Sequence, residues 1–249
     1  MTKMIYLFIV VLLLPRISLS RYTCDTTFQN NDTTVVCSTF NEDGQVISVE
    51  SYKDGKLHGN RISWYANGQL KRISPYSNGK RIDTSFSYHS NGGLNIRGVQ
   101  NGITIVLSES GDTLAITPMC DGKLCGISKG WYPDGLLKSI THYNSSGQKH
   151  GLSEEWREDG TRKDSIVYDN GDIIEVRRYF ENGKLHYHKY QKPVNRDINA
   201  VYYDPKCKKA GEIKNGTGVF IDYSPDGKSA EKVYMENDEV VKIEKIEME

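Results

Sequence analysis

The chain has 249 residues, of which 37% are hydrophobic and 26% are charged, and its 32 basic residues balance 32 acidic ones. This neutral charge, without a cluster of Lys and Arg, argues against nucleic acid as a partner, because phosphate neutralisation requires clustered cations.

The first twenty residues, MTKMIYLFIVVLLLPRISLS, have the organisation of a cleavable signal peptide. Lys3 precedes an apolar run from Ile5 to Leu14, and the small residues Ser18 and Ser20 precede Arg21. A membrane helix is the alternative, but it requires about 20 apolar residues. We therefore expect cleavage near Ser20 and export to the periplasm, the cell envelope or the medium.

All five cysteines follow this segment, and an oxidising compartment allows cysteines to pair. Cys120 and Cys125 flank one turn and are expected to form a disulfide. Cys24 and Cys37 are the second expected pair, which leaves Cys207 over. The alternative is that all five are free and partly buried.

Asp-Gly and Asn-Gly pairs, with close variants, recur along the chain in steps that are mostly 11 to 13 residues long. Alternate glycines therefore recur about every 24 residues, which indicates a repeat architecture. Because such pairs can adopt the two positive φ angles of a type I′ turn, each is interpreted as a β-hairpin. The glycines are Gly44, Gly55, Gly68, Gly79, Gly92, Gly102, Gly111, Gly122, Gly135, Gly147, Gly160, Gly171, Gly183, Gly216 and Gly227.

About seven to nine residues separate successive turns, which is a normal strand length. No helix of ten or more residues fits between them. The sequence therefore predicts an all-β fold, an antiparallel meander of tandem β-hairpin repeats that forms an elongated, twisted single-layer sheet. Such a sheet has no thick core, so cross-strand pairs of roughly 0.2–1 kcal/mol each should hold it together and spread its stability over neighbouring repeats.

Two kinds of strand alternate between the turns. One kind has an aromatic residue three positions before its glycine, as at Tyr52, Tyr76 and Tyr168. The other has one four positions before, often with a second aromatic beside it, as in Trp64-Tyr65. Since neighbours on a strand point to opposite faces, both faces should carry aromatic rows. The candidate binding surface consists of Trp64, Tyr88, Trp131, Trp156 and Tyr179.

The organisation along the chain is not uniform. After the signal peptide (1–20), residues 21–40 are expected to form an N-terminal cap, and 41–190 the regular repeats. Residues 191–212 contain two prolines and no clean turn signal, and proline removes a donor from the strand ladder. We interpret this segment as a degenerate repeat or a break, followed by a C-terminal repeat unit at 213–249.

The segments YKDGKLHG and WYANGQLK, between Tyr52 and Lys71, resemble the MORN-repeat variant. Its pattern is Tyr-x-Asn/Asp-Gly-Lys-x-x-Gly followed by Tyr/Trp-Tyr-x-x-Asn-Gly. The resemblance extends from about residue 41 to 190 and returns at 215–238, with departures at Arg81–Asp83 and Tyr187. It implies a β-hairpin array that binds proteins or phospholipid headgroups on its surface, and some family members are antitoxins.

The residues that could bind a metal are better explained by structural roles. His58, His150 and His186 each lie three residues after a turn glycine, and Cys125 takes that place in a fourth unit. Metal ligands must converge, whereas these positions belong to separate hairpins, so we assign them to packing or hydrogen bonding. We expect no metal and no cofactor.

The segment GISKG at 126–130 matches Gly-x-Ser-x-Gly, but a nucleophile elbow requires a strand, a tight turn and a helix. Ser128 lies within a predicted strand, so we assign no catalytic residue and predict that the chain is not an enzyme. Sequons at Asn31, Asn144 and Asn215 are about as many as chance provides and decide nothing.

Two classes of function remain. The first is an exported, non-catalytic interaction or scaffold module that docks a protein or a surface glycan through exposed Tyr and Trp. The second is an immunity- or antitoxin-like neutraliser of one partner, or an envelope protein that binds lipid headgroups. The near-neutral charge counts against the lipid alternative.

If stability is spread over neighbouring repeats, a local truncation should have a local effect. Trp131→Ala is expected to reduce hydrogen-exchange protection mainly in the middle repeats. Amide exchange measured residue by residue checks this, and a uniform loss of protection along the chain would contradict it.

Overall fold

The protein was analysed as a computed structural model that describes residues 21–29, 32–191 and 197–247. The expected signal peptide, the sequon residue Asn31 and Pro193 lie outside the described residues. In these ranges the chain forms strands and turns. They contain no helix of the length and apolarity needed to cross a bilayer.

The strands follow one another along the whole described chain. The first eight are β1 (Arg21–Gln29), β2 (Asp32–Phe40), β3 (Val46–Lys53), β4 (Lys56–Leu57), β5 (Gly59–Trp64), β6 (Leu70–Ser77), β7 (Lys80–Arg81) and β8 (Ser85–Tyr88). The next eight are β9 (Leu94–Gly98), β10 (Gly102–Leu107), β11 (Thr113–Cys120), β12 (Lys123–Leu124), β13 (Gly126–Trp131), β14 (Leu137–Tyr143), β15 (Lys149–Trp156) and β16 (Arg162–Asp169). The last seven are β17 (Asp172–Tyr179), β18 (Leu185–Gln191), β19 (Ile198–Tyr203), β20 (Lys209–Lys214), β21 (Thr217–Tyr223), β22 (Ala230–Glu236) and β23 (Glu239–Ile246).

These strands form one open antiparallel meander sheet, which confirms the predicted fold class. The two-residue strands β4, β7 and β12 extend a hairpin turn, and the preceding strand then continues its pairing with β5, β8 or β13. Pairing also runs from β18 through β19 to β20, in the segment that has two prolines and no clean turn signal in the sequence.

Most turns at one edge of the sheet, which we call the first edge, are the expected type I′ turns. Asp54 and Gly55 have φ angles of 49° and 72°, and Asn78 and Gly79 have 49° and 79°. Asn and Asp tolerate the left-handed region and Gly adopts it freely, which explains the dipeptides found there. The same pattern recurs at 121–122, 170–171 and 215–216.

The turns at the opposite edge, the second edge, differ from the expectation. At Gly68 the Tyr65 amide donates to the Gln69 carbonyl at 2.8 Å, and the Gly68 amide donates to the Tyr65 carbonyl at 2.9 Å. Gly68 alone has positive φ, which is a three-residue loop ending in a glycine bulge. This longer loop accounts for the aromatic that lies four rather than three residues before the glycine.

One second-edge turn has no glycine at all. Cys207 has φ of 67°, and its amide donates to the Asp204 carbonyl at 2.9 Å, as a bulge glycine does in the other repeats. A hairpin turn therefore exists where the sequence gives no turn signal.

Hydrogen bonds between successive turns join the repeats along both edges. At the second edge the Tyr65 hydroxyl donates to the Tyr88 carbonyl at 2.8 Å, 23 residues further along the chain. At the first edge the Gly79 amide donates to the Leu57 carbonyl at 2.8 Å. Equivalent bonds link later turns, so each repeat is fixed to the next at its edges as well as through its strands.

Strand register divides the side chains between two faces. We call front the face that carries Val49, Ile62 and Ile73, which lie opposite one another on β3, β5 and β6. This front row continues through Phe86, Arg97, Ile105, Ile116, Lys129 and Ile140. The corresponding back row has fewer apolar members and consists of Ser48, Ser63, Arg72, Ser87, Ile96, Val106, Ala115, Gly130 and Ser139. From β3 to β14 the front face is therefore the more apolar one.

The apolar character changes face across β15 to β17, where the middle rows on both faces become polar. Asp164 pairs with Arg178 in the back row, with 2.8 Å between Oδ1 and Nε, and Asp164 is only 6% exposed. Beyond this point the back row is Tyr187, Tyr202, Gly211, Phe220, Val233 and Ile243.

This back row forms a buried cluster near the C-terminus, whereas the sequence predicted no concentrated core. Tyr202 stacks on Phe220 with 3.7 Å between ring centroids. The rings meet across Gly211 on β20, where a Cβ would lie 2.3 Å from the Phe220 Cα. The cluster also includes Ala200, Ile213 and Val233. The absence of a side chain at Gly211 thus allows side chains of the non-neighbouring strands β19 and β21 to bury each other.

Both expected cysteine pairs are at disulfide distance. Cys24 and Cys37 are opposite each other on β1 and β2, with Cα atoms 4.1 Å apart. Cys120 and Cys125 flank a first-edge turn, with Cα atoms 5.8 Å apart. Cys207 is free and exposed.

The buried Tyr202 generates a prediction about alkaline pH. Burial raises the pKa of Tyr202 above its usual value, so stability from its neutral form is present below about pH 10 and is lost as pH rises further. Tyr202→Phe should therefore lose less stability than the wild type between about pH 9 and pH 11. Urea unfolding at both pH values measures this.

Tyr190→Phe is the matched control, because Tyr190 is 39% exposed and lies outside the cluster. It should show the same alkaline loss as the wild type. Equal losses in the wild type and in both variants would show that Tyr202 is not responsible.

Candidate interaction surface

The five aromatic residues predicted to form a binding surface lie on one face of the sheet. Each lies two positions along its strand from a member of the front row or its continuation, as Trp64 does from Ile62 and Trp131 from Lys129. Each therefore points to the front. All five are half-buried and end a strand at the second edge, on β5, β8, β13, β15 and β17. We call them the aromatic strip.

Most of the strip residues have a leucine partner that the sequence reasoning missed. Trp64 lies opposite Leu70, Tyr88 opposite Leu94, Trp131 opposite Leu137 and Tyr179 opposite Leu185. Each leucine follows its turn glycine by two residues, which is a signal visible in the sequence once the loop length is known. The fifth, Trp156, lies opposite Arg162.

The aromatic strip adjoins the front row of aliphatic residues, so the two form one apolar surface over β3 to β14. No acidic residue lies on the front face of these strands by register. The front row itself contains two cations, Arg97 and Lys129. The surface is therefore apolar with a positive component.

A second aromatic row lies on the back face at the first edge, as predicted. Tyr76 lies opposite Gly59, Tyr143 opposite Gly126 and Tyr168 opposite Gly151. These glycines have φ between 66° and 89°, and an aromatic ring opposite a glycine covers the backbone that glycine leaves bare. This row therefore has a structural role.

Tyr52, at the start of this back row, has an acidic hydrogen-bond partner. Its hydroxyl donates to the Glu50 carboxylate, and this bond, with burial, raises the pKa of Tyr52 to about 12. Glu50 also pairs with Arg61, 2.7 Å between Oε1 and Nε. The Glu50 carboxylate is thus already paired with side chains of the protein itself.

The second-edge turns hold the strip in position. The Tyr132 hydroxyl donates to the carbonyl of Trp156, a strip residue, at 2.8 Å. Arg157 Nη2 donates to the carbonyl of Tyr179, another strip residue, at 2.7 Å. Lys138 lies 5.3 Å from the centre of the Tyr132 ring, a cation–π distance. Side chains of the second-edge turns therefore fix the backbone of the strip residues.

The histidine positions do not form a single equivalent set. His58 and His150 are near the first edge, whereas His186 is near the second edge, stacked on Phe180 with 4.3 Å between ring centroids. His186 Nε2 is 3.0 Å from Asp222 Oδ1. Within the described ranges, no group of three or more His, Cys, Asp or Glu side chains could hold a metal ion.

The serine of the Gly-x-Ser-x-Gly match lies inside β13, with no helix after it. Ser128 Oγ is buried and has no hydrogen-bond partner among the described residues. No base is therefore placed to activate it.

The fold and the surface define the class, a tandem β-hairpin repeat protein. The family described as MORN repeat variant matches residues 57–78 and 173–192, which confirms the resemblance in two separate regions of the sheet. MORN repeats generally mediate protein or membrane interactions.

No curated protein matches this chain. Among solved structures, a crystal structure titled TcdB2-TccC3 aligns with 90% of this chain at 12% identity and a TM-score of 0.18. The alignment covers 17% of that chain, so this protein spans about a sixth of its length.

The contribution of the hydrogen bond from the Tyr132 hydroxyl to the Trp156 carbonyl can be tested directly. Tyr132→Phe is expected to destabilise the protein by about 1 kcal/mol, because the Trp156 carbonyl loses its donor. Denaturant unfolding measures the free energy. Tyr143→Phe is the control, since the Tyr143 hydroxyl makes no hydrogen bond in the described part of the chain. Equal effects of the two variants would show that the Tyr132–Trp156 hydrogen bond does not stabilise the protein.

Proposed function

We propose that the protein is an exported, non-catalytic scaffold that docks a protein partner on its front face. The observation that carries the proposal is the continuous apolar front surface of β3 to β14, bordered by the aromatic strip. Monomeric proteins rarely expose contiguous apolar patches larger than a few hundred Å². Trp and Tyr are also the residues most enriched among energetically dominant interface positions.

The size of this surface suits a protein partner. Nine strands with a spacing of about 4.8 Å, each about six residues long at roughly 3.3 Å per residue, give an area of about 860 Å². A standard protein interface buries about 800 Å² on each partner. The front face is thus large enough for a complete interface.

The charges on this surface narrow the chemistry of the partner. Arg97 and Lys129 lie in the apolar front row, and the front face of these strands has no acidic residue to pair with them. A complementary partner surface is apolar with acidic residues, since interfaces match potentials across the contact.

Two observations support the export of the protein. Two cysteine pairs at disulfide distance support an oxidising compartment, and the first twenty residues have the organisation of a signal peptide. A structural role for the histidines and for Ser128 supports the non-catalytic assignment.

The proposal predicts that binding depends on the front face only. Full-length wild type, a Trp64→Ala/Trp131→Ala variant and a Tyr76→Ala/Tyr143→Ala variant would be used as baits in the envelope and medium fractions of the host. Partners captured by the wild type and by the back-face variant, but lost with the front-face variant, support the proposal. With a purified partner, each Trp→Ala substitution should weaken binding by about tenfold or more.

The same variants distinguish the scaffold from the two alternative functions, a neutraliser of one partner and a lipid-binding protein. A dedicated neutraliser would capture one stoichiometric partner and lose it completely with a single patch substitution. If the wild type floats with vesicles containing anionic lipid and the front-face variant does not, the front face binds a lipid surface rather than a protein partner. Capture that is equal for all three baits would overturn the front-face proposal.

A further inference from the structure

The last described strand presents an open sheet edge with apolar side chains. β23 pairs with β22, and in the described chain no strand lies along its opposite edge. Val240, Val241 and Ile243 are 54%, 54% and 55% exposed. A sheet edge carries unpaired backbone N–H and C=O groups and is a template for pairing with another strand.

The last member of the buried back row, Ile243, is not covered at this edge. Tyr202, Phe220 and Val233 are at most 8% exposed. Ile243 lies directly opposite Val233 in the same row, yet more than half of it is in contact with solvent. One further strand beyond β23 would cover Ile243 and extend the cluster.

We propose that this further strand is β23 of a second copy of the chain, added antiparallel with its Ile243 opposite Ile243 of the first. In this register position 242 lies opposite 244, within the part of β23 that is regular. Lys242 therefore faces Glu244 of the second copy, and the symmetry repeats this pair. Val240 lies beyond the register shift of β23, opposite Met235 of the same chain, so the Lys242–Glu244 pairs carry the complementarity of the front side.

The back side of the pairing is compatible with this register. The two Ile243 side chains meet at the symmetry axis and join the two buried rows into one. Val241 lies opposite Lys245, whose aliphatic stem can cover it while the amine remains in water. Dimerisation thereby reduces the solvent exposure of both Val241 and Ile243.

Neighbouring registers are disfavoured by the same charges. Centring the pairing on residue 242 places Lys242 opposite Lys242, and centring it on 244 places Glu244 opposite Glu244. Like charges directly opposite each other destabilise a strand pair. The charges, which in other edge strands prevent pairing, here select one register.

The symmetry of this pairing closes the assembly. A two-fold axis perpendicular to the sheet relates the two copies, so the interface is isologous and yields a dimer. Both front faces then point in the same direction. Because strand addition relies on main-chain hydrogen bonds and buries less than a standard interface, the dimer should depend on concentration.

A charge swap tests the pairing. Sedimentation of the full-length protein over a concentration series should show a monomer–dimer equilibrium. Lys242→Glu should raise the dimer dissociation constant about tenfold or more, and the double variant Lys242→Glu/Glu244→Lys should restore it. Thermal unfolding of each variant shows whether the monomer remains folded, since Lys242 and Glu244 also pair within one chain, 2.6 Å apart.

Cross-linking tests the register independently of affinity. In a Cys207→Ser background, Ile243→Cys should form an intermolecular disulfide, because opposite Cα atoms in an antiparallel pair are about 4.5–5.5 Å apart. Val241→Cys is the matched control and should cross-link poorly, since it faces position 245. A monomer at all concentrations, larger species, no rescue by the double variant, or equal cross-linking of both cysteines would each overturn the proposal.

Discussion

Strand register, fixed by the turns at the two edges, is the constraint on which the rest of this structure depends. A slip of one residue would move every side chain of a strand to the opposite face. Two-residue turns at most first-edge positions and three-residue turns at the second edge set this register repeat by repeat. Hydrogen bonds such as Tyr65 to the Tyr88 carbonyl then connect turns one repeat apart, so register and stacking are fixed together.

Given this register, a single layer can be stable without a core of ordinary thickness. Aromatic side chains at the second edge pack against leucines across the strand, and those at the first edge cover glycines. Where both middle rows become polar, around Asp164 and Arg178, the apolar side passes from front to back. The protein thus has an apolar front surface over β3 to β14 and a buried back cluster near its C-terminus.

These two apolar regions suit different contacts. The front surface is broad, half-buried and positively charged, which fits a partner of protein size. The back cluster is already covered except at its last strand, where Ile243 is exposed at the sheet edge. Pairing there through a perpendicular two-fold axis would turn both front surfaces to the same side of the assembly, with β15 to β23 of each copy between them. A bivalent partner long enough to span this distance could engage both with increased avidity.

The sequence by itself determined the repeat architecture, the all-β class, the two cysteine pairs and the two aromatic rows, because turn dipeptides and the alternation of side chains are local properties. The leucines opposite the strip, the turn at Cys207 and the placement of His186 at the second edge depended on loop length, which Asn-Gly and Asp-Gly do not specify. Only the tertiary structure decided where apolar side chains become buried. Burial of Tyr202 requires β19 and β21 to approach across Gly211, and a contact between non-neighbouring strands leaves no periodic signal in the sequence.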